Sequence, residues 1–225
     1  MRDFTATEAA VLVFAKAPLA GRAKTRLIPR LGAAGAARLQ ARLVARTLRT
    51  AGAARFSAVE LHATPSRTHG VFAFHAKSFH MEIKKQRGRD LGERMHNALA
   101  QALRRHRAVI LIGTDCPALT AADLRRAARL LCGGCDVVLA PAEDGGYALI
   151  GVRKVSAALF CALFSGIAWG GPDVYAQTLR NLALAGYRWR ALRTVWDLDR
   201  PADLERFASL PLRLAGPRLR SRRSS

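Results

Sequence analysis

Short apolar runs alternate along the chain with longer stretches in which apolar residues return every three or four positions. Val11-Leu12-Val13-Phe14 and Ala108-Val109-Ile110-Leu111-Ile112 contain no polar residue, which is the pattern of strands buried on both faces. Further strands are expected over 56–62, 136–140, 147–152 and 188–192. Helical spacing links Leu39, Leu43 and Leu48 within 32–51, and Leu91, Met95, Leu99 and Leu103 form a core-facing stripe behind the start signal Asp90 and Glu93. Thr120 and Asp123 repeat that capping chemistry, and Pro201, behind Asp199 or Arg200 as cap, opens a last helix. Residues 64–80, scattered with histidines, predict a solvated loop or hairpin. Strands alternating with helices over most of the length imply an α/β fold, a mainly parallel sheet with helices on both faces. Ligands of such sheets bind where strands end at their carboxyl ends, so candidate chemistry is sought there.

Half of the 225 residues are apolar, enough for a sizeable core and incompatible with disorder throughout. Against 16 Asp and Glu stand 37 Lys and Arg, a formal charge of +21 that favours anionic partners: nucleotides, sugar phosphates, nucleic acid or an acidic membrane face. The Arg and Ala richness is also what a GC-rich coding sequence produces. Arg213, Arg218, Arg220, Arg222 and Arg223 fall in 211–225, which reads as a flexible basic tail behind a single domain over 1–210. No apolar run is long enough to span a membrane, and no leader-like segment opens the chain, so a cytoplasmic protein is expected. Four cysteines do not make a disulfide framework, and Cys132-Gly-Gly-Cys135 reads as a helix stop before a metal pair.

Four places at strand ends carry chemistry. The loop 16–27 holds Lys16, Arg22, Lys24 and Arg26 with Gly21, and its alternating cations could face one polyphosphate if the loop is extended. It matches neither the Walker A nor the dinucleotide glycine pattern. Asp115 follows the buried run 108–112 directly and precedes Cys116-Pro117, where one carboxylate plus substrate phosphates could hold Mg²⁺. Glu143-Asp144-Gly145-Gly146 joins two strands, a sequence that turn chemistry also explains. Asp197 and Asp199 alternate after the last strand and share a side.

Five ordered segments, FAKAPLAGRAKTRL (14–27), QRGRDLGERM (86–95), LIGTDCPAL (111–119), PAEDGGYALIG (141–151) and WDLDRPADL (196–204), resemble the DUF2064 family. That family is also labelled radical-SAM/selenodomain-associated transferase 1, within the glycosyltransferase-A, or nucleotide-diphospho-sugar transferase, superfamily. The resemblance extends over roughly 10–208. It implies a Rossmann-like glycosyltransferase-A fold similar to that of phospholactate and molybdenum-cofactor guanylyltransferases. By that resemblance Lys16, Gly21, Arg22, Lys24 and Arg26 hold the donor's phosphates, and Gln86 with Gly92 helps to read its base. Asp115, Asp199 and Asp197 would take Mg²⁺ or Mn²⁺, and Glu143 or Asp144 would contact the acceptor or act as base. The first loop departs from the guanylyltransferases, because Ala17-Pro18-Leu19-Ala20 stands where they carry glycines. The resemblance implies a Mg²⁺-dependent nucleotidyl- or glycosyltransferase that uses a nucleoside triphosphate or nucleotide-sugar and an unidentified acceptor. The alternative is an inactive transferase scaffold that binds nucleic acid through its charge and tail.

Overall fold

The computed structural model describes Thr5 and residues 8–210; the expected basic tail, 211–225, lies outside the described residues. Strands β1 (Ala10–Lys16), β2 (Ala58–Thr64), β3 (Glu82–Lys85), β4 (Ala108–Gly113), β5 (Val137–Pro141), β6 (Tyr147–Arg153) and β7 (Trp189–Ala191) form one sheet in the order β3-β2-β1-β4-β6-β5-β7. Helices α1 (Ile28–Ala53), α2 (Gly70–Phe79), α3 (Leu91–Leu103), α4 (Ala121–Cys132), α5 (Ala157–Phe164), α6 (Val174–Leu184) and α7 (Asp203–Ala208) connect or follow them. The sheet is parallel except for β6, which runs antiparallel to β4 and β5. A turn over 142–146 is too short for a crossover, so β6 must reverse against β5.

Alternate residues of β1 feed the two faces. Val11 and Val13 pack with Val44 and Leu48 of α1, Phe72 of α2 and Leu124 and Leu131 of α4. Leu12 and Phe14 pack with Met95 and Leu99 of α3, Phe160 and Leu163 of α5 and Leu182 of α6. Each fully buried Leu or Phe contributes about 1.5–3 kcal/mol relative to an exposed one, so these two layers hold the helices to the sheet. A third cluster, Leu27, Leu39 and Leu43 with Trp196 and Leu198, seats the segment after β7 against α1. No helix among the described residues is long and apolar enough to cross a membrane.

Four sequence expectations are corrected. Residues 64–80 contain α2, whose first turn is capped by His69 accepting from the Val71 N–H and whose Phe72 and Ala76 reach the core one turn apart. The first helix starts before Gly32, at Ile28, and Gly32 interrupts it with a non-helical backbone. Leu91 is 46% exposed, so the α3 stripe begins at Met95. The last helix begins at Asp203, not Pro201, and neither Asp199 nor Arg200 caps it. Instead the Asp203 carboxylate accepts from the Asp199 and Arg200 N–H groups at 3.0 and 2.7 Å.

A buried carboxylate ties the β3 edge to α3. Glu60, 4% exposed on β2, lies 2.6 Å from Arg105 Nη2 and 3.0 Å from both Lys84 Nζ and His62 Nε2. Burial pushes its carboxyl up, but hydrogen bonds and charge from His62 and Lys84 outweigh that and bring it from 4.5 down to about 2. Its pKa is depressed in the folded state, so the stability it supplies is present above about 4.5 and is lost as pH falls toward 2. Urea melts across that interval are expected to show a falling midpoint that Glu60→Gln flattens; an unchanged slope in the variant would remove Glu60 as the cause.

Candidate functional site

The carboxyl ends of β1, β2 and β4 and the start of β6 surround a cavity of about 510 Å³, as the parallel topology requires. Asp115 stands two residues past β4 at its edge, its side chain 57% exposed. Lys24 reaches it from the first loop. With a left-handed backbone and a side chain only 4% exposed, its Nζ sits 2.7 Å from Asp115 Oδ1 and donates to the Leu198 carbonyl at 2.6 Å. The Leu198 N–H in turn donates to the Asp115 carbonyl at 2.7 Å, so three distant segments close on one another. Below them Gln40 Nε2 bridges the Lys16 carbonyl and Thr114 Oγ1, both at 3.3 Å, fixing the ends of β1 and β4.

Asp144 enters from the β5–β6 turn. Its Oδ1 accepts from the Gly146 N–H at 2.9 Å, and the Gly145 N–H donates to the Ala142 carbonyl, so the turn reading of this sequence holds while the carboxylate still lines the cavity. Asp197 and Asp199 line it too. Burial first, then the neighbouring Asp144 carboxylate and more weakly Asp199 and Asp203, push the Asp197 carboxyl above its ordinary range. Gln86 is fixed by its N–H on the Ala63 carbonyl and its Nε2 on the His62 carbonyl, at 3.1 and 2.9 Å.

Other expected residues are placed differently. The loop after β1 is a succession of turns, not an extended segment, and its cations take different partners. Arg26 pairs with Asp199, and Arg22 lines a neighbouring pocket. Gly21 does not line the cavity. Glu143 is gripped by both terminal nitrogens of Arg206, at 2.8 and 3.0 Å, and does not line the cavity either. Gly92 acts through packing: a Cβ there would meet Trp169 Nε1 at 2.0 Å, so the missing side chain makes room for the indole. Trp169, Leu91 and Arg94 line the cavity without having been anticipated. The Trp-Gly-Gly-Pro run over 169–172, conspicuous in a stretch with no period, was the available signal. Cys116 also lines the wall, but burial and the nearby Asp115 push its thiol up, so it has no nucleophilic character at neutral pH.

Among the described residues no three His, Cys, Asp or Glu side chains converge as a ready cation site. The donor set still fits a hard divalent ion, which needs only one or two protein carboxylates when substrate phosphates complete its shell. Asp115 is at the open rim, and Asp197 lies where other carboxylates already disfavour its negative charge, a charge that a cation would relieve.

The profile of a family described as uncharacterized protein conserved in bacteria (DUF2064) matches residues 47–171. A candidate nucleotide-diphospho-sugar transferase from Desulfovibrio desulfuricans G20 superposes with a TM-score of 0.76 at 31% identity, covering 86% of this chain and 83% of its own. Rv0371c from Mycobacterium tuberculosis H37Rv, solved with manganese, shares the fold at TM-score 0.55 and 20% identity, covering 90% of this chain and 99% of its own. CMP:2-keto-3-deoxy-manno-octonic acid synthetase complexed with CTP does so at TM-score 0.54 and 12% identity, covering 88% and 96%. No curated protein matches the chain by sequence.

Proposed function

The chain belongs to the DUF2064 family, and from that premise we propose that it is a divalent-ion-dependent transferase taking a nucleoside triphosphate or nucleotide-sugar in the cavity at the carboxyl ends of β1, β2 and β4. The observation that carries this reading is the meeting of Lys24, Gln86, Asp115, Asp144, Asp197 and Asp199 on one cavity from five separate segments. The folds shared with a CTP-bound and a manganese-bound protein support it. The site draws on residues from 14 to 199, which supports a single domain over 1–210.

In nucleotidyl transfer an acceptor oxygen bonds to the α-phosphorus, the α–β bridging bond breaks and pyrophosphate leaves. In glycosyl transfer the oxygen bonds to the anomeric carbon and the nucleoside diphosphate leaves. Either way negative charge grows on the leaving phosphates, and the work of the protein is positioning and neutralisation, with no covalent nucleophile required. Lys24, locked by the Leu198 carbonyl, holds a fixed positive charge beside that region. Asp115 and Asp197 would hold the divalent ion, with substrate phosphates completing its shell, and the ion when bound would supply charge neutralisation at the phosphates. Asp144, which lines the cavity and has no cation paired to it among the described residues, is the carboxylate placed to orient the acceptor or take its proton.

A thermal-shift panel of the full chain against the four nucleoside triphosphates and UDP- and GDP-sugars, each with and without Mg²⁺, tests this. One nucleotide is expected to raise Tm only with the ion; at a hundred times its Kd it adds about 2.7 kcal/mol. Stabilisation by none of them, with or without the ion, would overturn the reading.

A further inference from the structure

Between α3 and α5, apart from the residues assigned to donor and ion, a thiol meets an imidazole. Cys161 is exposed, whereas Cys116 is buried and Cys132 and Cys135 are half-buried. The Cys161 Sγ lies 3.7 Å from His96 Nε2, within hydrogen-bond reach for sulfur, although the two residues stand 65 positions apart. The fold, not local sequence, makes this pair.

The imidazole is oriented from its other side. Asn97 Nδ2 donates to the Arg87 carbonyl at 3.0 Å, which leaves the amide oxygen facing His96 Nδ1 at 3.5 Å. That oxygen can only accept, so the ring proton belongs on Nδ1, and Nε2 keeps its lone pair for the thiol. Phe160 and Phe164 hold the ring, with centroids 4.8 and 5.7 Å from its own. Both lie on α5, the helix that carries Cys161, so the same packing fixes the sulfur and its base. Phe164 stacks in turn on Trp169 with centroids 6.1 Å apart, which places the thiol two rings from the cavity wall.

A further donor stands close by. The Tyr187 hydroxyl is buried and has no hydrogen-bond partner among the described residues. Burial first, then Asp136 and Cys161, push this phenol up to about 12, so it lies within electrostatic reach of the sulfur. An accessible thiol, a base on its proton and a group that orients the base are the parts that make a cysteine nucleophilic.

We propose that Cys161 and His96 form a thiol-modification site whose co-reactant is a low-molecular-weight disulfide. His96 Nε2 takes the thiol proton, and the thiolate attacks one sulfur of the disulfide. A bond forms between that sulfur and Cys161 Sγ, the original sulfur–sulfur bond breaks, and the departing thiolate takes the proton from the imidazolium. Cys161 is thereby oxidised to a mixed disulfide, and the half of the co-reactant that leaves is reduced to a thiol. The site stands independently of the transferase reading.

Dithiodipyridine is the probe, a neutral disulfide whose rate does not follow the charge of the chain. The full chain is compared with Cys161→Ser, His96→Phe and His96→Gln by the release of pyridinethione. One thiol is expected to react about tenfold or more faster than the others at about pH 7, and Cys161→Ser to remove that phase. His96→Phe keeps a ring against Phe160 and Phe164 but has no base. It should slow the phase about tenfold at about pH 7 and by less than about twofold near pH 10, where thiols ionise unaided. His96→Gln gives the same readout if the added phenylalanine packs badly. A fast phase that survives Cys161→Ser, the absence of any fast phase, or an unchanged rate in both His96 variants at about pH 7 overturns the site. Equal slowing at both pH values overturns it too, because the ring would then govern only access to the sulfur.

Discussion

Gly145→Ala is expected to destabilise the protein by about 2–4 kcal/mol, the largest loss for the addition of one methyl group. Gly145 has φ +88, and a Cβ there would lie 1.7 Å from the Pro172 carbonyl oxygen and 2.6 Å from its carbon. Both obstacles are backbone and cannot swing aside. The Tyr175 N–H donates to the Gly145 carbonyl at 2.9 Å, so the turn cannot back away without releasing the start of α6. Strain in the left-handed region costs about 1–2 kcal/mol and overpacking about 1–3. Gly21→Ala separates the two, because Gly21 has φ +76 but a Cβ added there would meet nothing within 4 Å. Urea unfolding should show the midpoint of Gly145→Ala falling well below that of Gly21→Ala at equal m. Matching midpoints would mean that Pro172 yields and the contact is not tight.

Asp115→Asn is expected to abolish the Mg²⁺-dependent part of nucleotide stabilisation while leaving the fold in place. The amide keeps an oxygen for Lys24 Nζ, which also keeps the Leu198 carbonyl, and the side chain at 115 faces solvent. Lys24 is buried and loses a carboxylate partner, so the stability cost should exceed the roughly 1 kcal/mol of a pair of exposed groups. One of the two carboxylates assigned to the ion is lost, so the increment of about 2.7 kcal/mol at a hundred times Kd should fall to near zero. Thermal melts with nucleotide, with and without Mg²⁺, read both quantities. An undiminished Mg²⁺ increment would take Asp115 out of the ion site.

The parts of this molecule legible in its sequence are those whose signals are local. Uninterrupted apolar runs marked β1 and β4, and the Thr120 and Asp123 pair marked the start of α4, where both halves of the capping box form. Asp115, Asp197 and Asp199 stood out because each follows a strand, and they reach one cavity. The hidden parts depend on contacts distant in sequence. Helix α2 buries only Phe72 and Ala76 and leaves Phe74 outside, so its period is faint. Spacing could not reveal that Lys24 and Arg26 would turn to Asp115 and Asp199, because those partners lie far along the chain, 173 positions away in the case of Arg26. Arg94 sits on a helix whose visible pattern is its core stripe, and its place in the cavity wall emerges only where β1 and β2 end beside it.

Lys24, Asp115 and Leu198 bind one another directly, so the cavity cannot be complete until the segment near 198 has folded back onto α1. While the chain is being synthesised, β1 to β4 can pair and bury much of the core with the rim still open. The ligand binding proposed for this rim would therefore report completed folding and would be sensitive to damage far along the chain that leaves most of the sheet untouched.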